Sequence, residues 1–313
     1  MFMGTPEFAV PALRAVARAC DVALVVTQPD RPKGRGRALA ESEVALEAAR
    51  LGLPVEKPAD LNAEAVRERL AALSPDLFAV VAFGVILSPA LLALPRLGSV
   101  NLHGSLLPEY RGASPVQRAL WDGRAFTGVT TLFMDEGVDT GDMILQRWLA
   151  IEPADQAGTL AAKLAELGAP LLAESLLLAV TGRAPRRPQA RDDGSYARKL
   201  RKEDGVVDWG LDAVTVWSRQ RAVTPWPGAT TASEGRRLLV TGAWPQHRLG
   251  VPEPPGTVLA VTREGVMVAC APGVLLVTRV KPEGRSEMGA AEWARGARLA
   301  TGARLVLQKE VSA

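Results

Sequence analysis

Hydrophobic residues in the first part of this 313-residue chain fall into short continuous runs, separated by stretches with helical spacing. Short apolar runs are typical of strands buried on both faces of a parallel sheet, and the stretches between them fit crossover helices. The predicted strands cover residues 1–3, 22–27, 55–56, 76–83, 97–102, 128–134 and 143–151. The predicted helices cover residues 6–20, 40–51, 62–73 with Asn62 as its cap, 114–122 and 159–180, which Pro170 either kinks or divides. We therefore predict an α/β fold with a Rossmann-like, mostly parallel sheet flanked by helices.

The pattern changes after residue 181. Residues 182–204 contain Pro185, Pro188 and Gly194 and an excess of cations over anions, which indicates a basic linker. A predicted helix at 212–223 is followed by short segments between turn residues, at 229–233, 237–244, 256–261, 265–269 and 274–281, and by a helix near 289–299. Such segments are typical of a small antiparallel barrel of the OB-like kind. The predicted domains are residues 1–181, a linker at 182–204 and a C-terminal β-barrel domain at 205–313.

Composition limits the class of protein. The chain is 48% hydrophobic, which is enough for two cores, and no apolar run reaches the length of a membrane span. The two cysteines, Cys20 and Cys270, are far apart in sequence, so neither a disulfide framework nor a metal cluster is expected. The first residues lack the basic and apolar regions of a signal peptide, and we expect a cytoplasmic location.

Two chemically distinctive residues, Asn101 and His103, occur at the end of one predicted strand. Side chains two positions apart on a strand project from the same face, and Gly104 then ends the strand. An amide with two N–H donors therefore lies beside an imidazole that exchanges a proton near neutral pH. A capped strand end is the plain structural interpretation of this pair, and acyl transfer is the functional one.

An acidic, Gly-rich segment at residues 135–142 follows the predicted strand 128–134. It faintly resembles a calcium-binding loop, but the terminal Glu ligand is missing, so we expect no metal there. We instead expect Asp139 to face His103, because a carboxylate near an imidazole orients the ring and stabilises its protonated form.

These two segments together resemble the signature of a known family. The pattern Asn101-x-His103-x-Ser105-Leu106-Leu107-Pro108-x-x-Arg111-Gly112, joined to Met134-Asp135-x-Gly137-x-Asp139-Thr140-Gly141-Asp142, is similar to that of the 10-formyltetrahydrofolate-dependent formyltransferases. The chain resembles, over nearly its whole length, the members that act on methionyl-tRNA. The resemblance implies that 10-formyltetrahydrofolate is the co-substrate and methionyl-initiator tRNA the acceptor. It also implies a monomeric enzyme of bacterial translation initiation that needs no metal and no membrane.

The resemblance extends to individual residues. The catalytic residues are expected to be Asn101, His103 and Asp139. The folate pocket is expected to be lined by Gly84, Val85, Ile86 and Leu87, and by Ser105, Leu106, Leu107 and Pro108.

Cations are concentrated in two places, residues 31–37 and the linker. Pro and Gly predict that residues 28–37 form an irregular loop, which is either a solvated loop or an arm that binds phosphates. The corresponding loop of the tRNA-acting relatives reaches into the acceptor arm, which implies that Arg35, supported by Arg31, Lys33 and Arg37, does so here. The linker cations, including Arg198 and Lys199, favour an RNA-facing tether.

Amide and imidazole chemistry fits formyl transfer. Asn101, with cationic His103, can donate hydrogen bonds to the formyl oxygen as it becomes negative, and His103 with Asp139 can relay protons. The sequence leaves open whether His103 acts mainly as a base or as a cation. Three other functions stay open: a formyltransferase with a small amine acceptor, a hydrolase that releases formate, and a non-catalytic RNA-binding protein.

Overall fold

The computed structural model describes residues 1–33, 38–190, 194–246 and 251–306. The chain forms two compact units. The first comprises Met1–Pro115, Phe126–Ala150 and Ala161–Arg198, and the second comprises Val116–Ala125, Ile151–Leu160 and the residues from Lys199 onward. Within the described ranges, no helix has both the length and the apolar character needed to cross a membrane.

The first unit is built on a mostly parallel sheet. The strands of this unit are β1 (Phe2–Gly4), β2 (Val25–Val26), β3 (Arg31–Lys33), β4 (Ala38–Ala40), β5 (Val55–Glu56), β6 (Phe78–Val81), β7 (Ser99–His103), β8 (Phe126–Phe133) and β9 (Met143–Ala150), of which β3 and β4 form a separate two-stranded sheet. The sheet has the order β5-β2-β1-β6-β7-β8-β9. The neighbours from β5 to β7 run parallel, whereas β8 and β9 are antiparallel. The predicted Rossmann-like sheet is confirmed.

Seven of the eight α-helices in the described residues lie at predicted positions, and the short helix at Pro89–Leu92 was not predicted. In chain order they are α1 (Val10–Ala19), α2 (Glu43–Arg50), α3 (Glu64–Ala72), α4 (Pro89–Leu92), α5 (Pro115–Trp121), α6 (Ala157–Val180), α7 (Ala213–Ala222) and α8 (Ala290–Gly296). Ser42 caps α2 by accepting a hydrogen bond from the Ala45 N–H at 3.0 Å. Pro170 lies inside α6, which is a single helix rather than two segments.

Strand β7 lies inside the sheet and has hydrogen-bonded neighbours on both sides. Asn101 pairs with Val80 of β6 in parallel register, and His103 pairs with Thr130 of β8 in antiparallel register. Val100 and Leu102 are buried in the core. Because side chains alternate between the two faces of a strand, Asn101 and His103 project from the face opposite to that of Val100 and Leu102.

Two local predictions in the first unit are wrong. Asn62 does not cap α3, whose N-cap is Ala63. The Asn62 amide instead donates to the Ile86 carbonyl at 3.2 Å and accepts from the Ser88 N–H at 2.9 Å. Its polar atoms are therefore hydrogen-bonded to the main chain of another loop. The prediction that residues 28–37 form an irregular loop is wrong for residues 31–33, because β3 pairs antiparallel with β4. Pro32 has no main-chain N–H. A two-stranded sheet tolerates it, because the outer edge of each strand has no neighbouring strand that needs a hydrogen-bond donor.

The segment after α6 pairs with the first unit through its main chain. Arg187 and Met143 exchange hydrogen bonds at 2.9 and 3.0 Å. Tyr196 forms a parallel bridge with Arg111. Residues 182–198 thus belong to the first unit.

The second unit contains a curled antiparallel sheet. Its strands are β10 (Ala229–Ser233), β11 (Arg236–Gln246), β12 (Val258–Val261), β13 (Val266–Ala269), β14 (Val274–Pro282), β15 (Met288–Gly289) and β16 (Leu305–Val306). They follow the order β12-β13-β14-β11-β10-β16, with β15 beside β14. Register shifts around Gly242 mark a bulge that bends β11. The predicted small OB-like fold is confirmed.

Candidate active site

Asn101, His103 and Asp139 meet at the end of β7. The Asn101 side-chain amide donates to Oδ1 of Asp139 at 3.2 Å. Nδ1 of His103 lies 3.5 Å from Oδ2 of the same carboxylate. The His103 and Asp139 side chains are 6% and 14% exposed, so the group is largely but not fully withdrawn from water. The structure brings together the three residues that the sequence proposed as catalytic.

Oxygen atoms face both nitrogens of the His103 ring. Nε2 lies 2.9 Å from the main-chain carbonyl of Tyr110, and it donates there because a carbonyl oxygen can only accept. In the neutral ring with its proton on Nε2, Nδ1 would present a lone pair to the Asp139 carboxylate. The imidazolium form has a donor at both positions.

Asp139 is held by donors from several segments. Besides the Asn101 amide, the Gly112 N–H donates to Oδ2 at 2.8 Å. Asp139 has φ of +55°, an uncommon conformation for a residue with a side chain. Its neighbours are donors, which suits an ionised carboxylate.

Gln189 stabilises this loop, and sequence reasoning missed it. Its side-chain amide donates to the main-chain carbonyls of Asp139 and Gly141 at 2.9 and 2.8 Å. Nε and an Nη atom of Arg111 donate in turn to Oε1 of Gln189 at 3.0 and 2.9 Å. Gln189 lies in the segment predicted as a linker, where no periodic pattern marks it. The only sequence signal was Arg111, which is part of the family pattern.

The segment 105–108 leaves β7 as a turn with its polar atoms already paired. Ser105 is fully buried, and its hydroxyl donates to the Glu109 carbonyl at 2.5 Å. Thr130 donates to the Ser105 carbonyl at 2.7 Å and accepts from the Leu107 N–H at 3.0 Å. Leu107 is buried, whereas Leu106 and Pro108 are partly exposed. Of the predicted folate residues in this turn, Leu106 and Pro108 therefore offer accessible side chains.

The segment 84–87 follows β6 and exposes an apolar residue. Ile86 is 77% exposed, while Leu87 is buried. Gly84 has φ of +75°, and a Cβ there would lie 2.8 Å from Nε2 of Gln28. That amide donates to the Phe83 carbonyl at 2.6 Å, so Gln28, which the sequence did not single out, fixes the end of β6.

The predicted tRNA contacts are only partly described. Arg31 is exposed and donates to Oε1 of Gln28 at 2.5 Å. Arg35, Arg37 and the side chain of Lys33 lie outside the described residues. Arg198 and Lys199 are exposed.

Neither cysteine is suited to nucleophilic chemistry. Burial raises the pKa of the Cys270 thiol to about 12, with a further contribution from Asp212. Burial also raises the pKa of Cys20. Both thiols stay protonated at neutral pH. No group of acidic, His and Cys residues suited to a metal occurs within the described residues.

Family models match both parts of the chain. The model described as formyl transferase matches residues 4–176, and the model described as formyl transferase, C-terminal domain, matches residues 199–298. The chain is 47% identical to the methionyl-tRNA formyltransferase of Heliobacterium modesticaldum, over 97% of this chain and 98% of that relative. It is 46% identical to the methionyl-tRNA formyltransferase of Moorella thermoacetica, over 95% of each chain.

Solved structures share the fold at lower identity. An N-formyltransferase from Helicobacter canadensis, in complex with folinic acid and dTDP-3-aminofucose, matches with a TM-score of 0.65 and 16% identity, over 88% of this chain and 97% of its own. HypX from Aquifex aeolicus, in complex with tetrahydrofolic acid, matches with a TM-score of 0.61 and 20% identity. That match covers 89% of this chain and 48% of HypX, so this chain spans about half of the HypX length.

Proposed function

This chain belongs to the family of methionyl-tRNA formyltransferases, and we propose on that premise that it transfers the formyl group of 10-formyltetrahydrofolate to the amino group of methionine esterified to initiator tRNA. The observation that carries the proposal at the level of residues is the convergence of Asn101, His103 and Asp139. Two of these side chains can donate hydrogen bonds, and the third is a carboxylate that contacts both of them.

Asn101 is the proposed donor to the formyl oxygen. One of its two N–H groups binds Asp139, and this contact orients the amide and leaves the second N–H for a ligand. The side chain is only partly buried, so a ligand can reach it. A donor fixed before the reaction costs little reorganisation as negative charge develops on the oxygen.

His103 is the proposed cationic group and proton carrier of the site. Its contacts with Tyr110 and Asp139 hold the ring in place, and the positive charge of the protonated ring would stabilise a nearby negative oxygen. The attacking amine must also lose a proton and the leaving nitrogen must gain one. Asp139 keeps the ring oriented while His103 takes part in this exchange, directly or through a water molecule.

The surroundings of the site suit a folate. 10-Formyltetrahydrofolate supplies a formyl carbon on a nitrogen that can leave. Ile86 presents an exposed apolar side chain, and Leu106 and Pro108 present partly exposed ones, as the flat ring of a pterin requires. Gly84, Val85 and Leu87, and the buried Ser105 and Leu107, are proposed to shape this pocket through their main chain and packing.

The tRNA is proposed to bind through exposed cations. Arg31 extends from the β3–β4 hairpin, and Arg198 and Lys199 lie further along the chain. Lys33, Arg35 and Arg37 complete the proposed set. Contacts of this kind position a backbone rather than read a sequence.

Consumption of 10-formyltetrahydrofolate, measured with and without methionyl-tRNA, tests the proposal. We expect consumption that depends on charged initiator tRNA and is lost in the Asn101→Ala, His103→Ala double variant. Unchanged activity of that variant would falsify the assignment of the site. Turnover on a small amine but not on methionyl-tRNA, release of formate without an acceptor, or tRNA binding without folate binding would each support one of the other three functions.

A further inference from the structure

Tyr196 is an exposed aromatic residue on a rigid main chain. Its side chain is 63% exposed. The main chain on either side is fixed, because the Arg111 N–H donates to the Ser195 carbonyl at 2.8 Å and the Ala197 N–H donates to the Arg111 carbonyl at 2.6 Å. The hydroxyl of Ser195 also accepts from the Tyr110 N–H at 2.9 Å. The ring is therefore presented to solvent from a defined position.

The Tyr196 ring rests against a residue of the active site. A Cβ at Gly112 would lie 2.7 Å from Cε2 of Tyr196, so the ring occupies the space beside the Gly112 Cα. Gly112 is the residue whose N–H donates to Asp139. Its φ of +101° also favours glycine. A single residue, Gly112, therefore lies between the exposed ring and the proposed catalytic carboxylate.

The proposed acceptor, methionyl-tRNA, has a nucleotide base close to the amino group that is formylated. In an aminoacyl-tRNA, the amino acid is esterified to the terminal nucleotide of a single-stranded 3′ end. When the amino group reaches Asn101 and His103, the terminal base is separated from it by one ribose and the ester. Aromatic side chains near cations are the usual means of holding single-stranded bases, and the exposed Arg198 lies two residues from Tyr196.

We propose that Tyr196 stacks on the 3′-terminal base of the tRNA and so places the aminoacyl ester at the site. The inference rests on the proposed function and adds a specificity contact to it. Stacking on a rigid, exposed ring costs little ordering of the protein, and the opposite side of Tyr196 is already supported by Gly112.

The test compares tRNA with and without its terminal adenosine. For the wild-type protein, we expect removal of the adenosine from uncharged initiator tRNA to weaken binding about 5- to 100-fold. In Tyr196→Leu, which keeps an apolar contact with Gly112 but has no aromatic face, the ratio of the two Kd values should fall close to one. Tyr196→Phe should keep the wild-type ratio. With methionyl-tRNA, Tyr196→Leu should raise KM for tRNA and leave KM for the folate unchanged.

A matched control is Trp148→Leu, which removes another exposed aromatic ring, 70% accessible, from strand β9. It should keep the wild-type ratio. An equal effect of the adenosine on wild type and Tyr196→Leu, or no effect on either, overturns the stacking contact. Loss of discrimination between methionine and alanine on the same tRNA, with the adenosine effect retained, would place the ring against the amino acid and also overturn it. A wild-type protein that formylates no methionyl-tRNA would refute the proposed function itself, which the acceptor assay detects separately.

Discussion

The side chain of Gln189 supports Asp139 from a segment 50 residues further along the chain, donating to its main-chain carbonyl at 2.9 Å. The same amide reaches the Gly141 carbonyl at 2.8 Å, and Arg111 fixes the other end of Gln189. An acidic loop that contains a residue with positive φ is thereby held in one conformation. The position of the proposed catalytic carboxylate depends on a residue that does not contact the reacting groups.

Gln189→Leu should lower kcat about 10- to 100-fold, because a small displacement of Asp139 misplaces both Asn101 and His103. The KM values for folate and tRNA should change little, since Gln189 is a positioning residue. Gln189→Glu, which retains the acceptor for Arg111 but lacks the donor, should behave like Gln189→Leu. Steady-state kinetics with both substrates measures the effect.

Gln156→Leu is the control for that experiment. Gln156 also donates its side-chain amide to a main-chain carbonyl, that of Thr241 at 2.9 Å, within the second unit. Its loss should leave kcat unaltered. Equal kcat values for Gln189→Leu and wild type would contradict the positioning role.

Asn101→Ala should reduce kcat about 100- to 1000-fold, the usual effect of removing one donor to a developing oxyanion. Asn101→Asp preserves the shape but replaces the N–H donors by a carboxylate oxygen, so it should be at least as impaired. Single-turnover rates at saturating folate and methionyl-tRNA give the comparison. Because Asn101 also contacts Asp139, unchanged melting temperatures must accompany the loss, and a reduction below about tenfold would argue against the assignment.

Glu47 should make stability depend on pH in the acid range. Hydrogen bonds from Arg14 and then Arg50 lower the pKa of this buried carboxyl to about 2. A folded-state pKa below the unfolded value gives stabilisation that is complete above the unfolded pKa and is lost as pH falls towards 2. Glu47→Gln should therefore lower Tm by a few degrees at pH 7, and the difference should shrink below about pH 4.5.

Thermal melts between pH 7 and pH 2.5 provide the measurement. Glu174→Gln serves as the comparison, because Glu174 is half exposed and lies 3.7 Å from Arg147. Ion pairs between exposed side chains contribute little to the free energy of unfolding. A Tm difference for Glu47→Gln that stays constant over the whole range would refute the prediction.

Arg31→Ala should weaken tRNA binding and reduce the slope of log K against log salt by about one. Arg31→Lys should restore the slope, because it retains the charge. Arg96→Ala removes another exposed arginine, which pairs with Asp76 at 2.7 Å, and should leave the slope unaltered. Identical salt slopes for Arg31→Ala and wild type would show that Arg31 contacts no phosphate.

The sequence predicted that Asn101 and His103 would lie side by side because both belong to a regular strand. Alternation alone placed them on one face and the buried Val100 and Leu102 on the other. Asp139 was predicted as the partner of His103 because of charge complementarity. That reasoning indicates that a carboxylate lies near the imidazole, but it does not indicate which groups hold the carboxylate in place. The main-chain donor Gly112 and the positive φ of Asp139 have no signature in residue spacing.

The roles of Asn62 and Gln189 were missed for the same physical reason, because each side chain binds distant main-chain groups. Asn is a common helix-capping residue, but the Asn62 side chain instead forms hydrogen bonds with main-chain groups of Ile86 and Ser88. Gln189 lies among prolines and charges that look solvated, although its amide is bound. Such contacts join residues far apart in sequence, so neither periodicity nor local propensity can indicate them.

The enclosure of β7 between two neighbours has a consequence for how this protein can change. A shift of one residue would point Val100 and Leu102 at the substrates and turn the amide and the imidazole into the core. We expect a single insertion within this strand to abolish the reaction, because it reverses the face that each following side chain occupies. The spacing of the five residues of β7 is therefore fixed, whereas the loops around the site are free of this constraint.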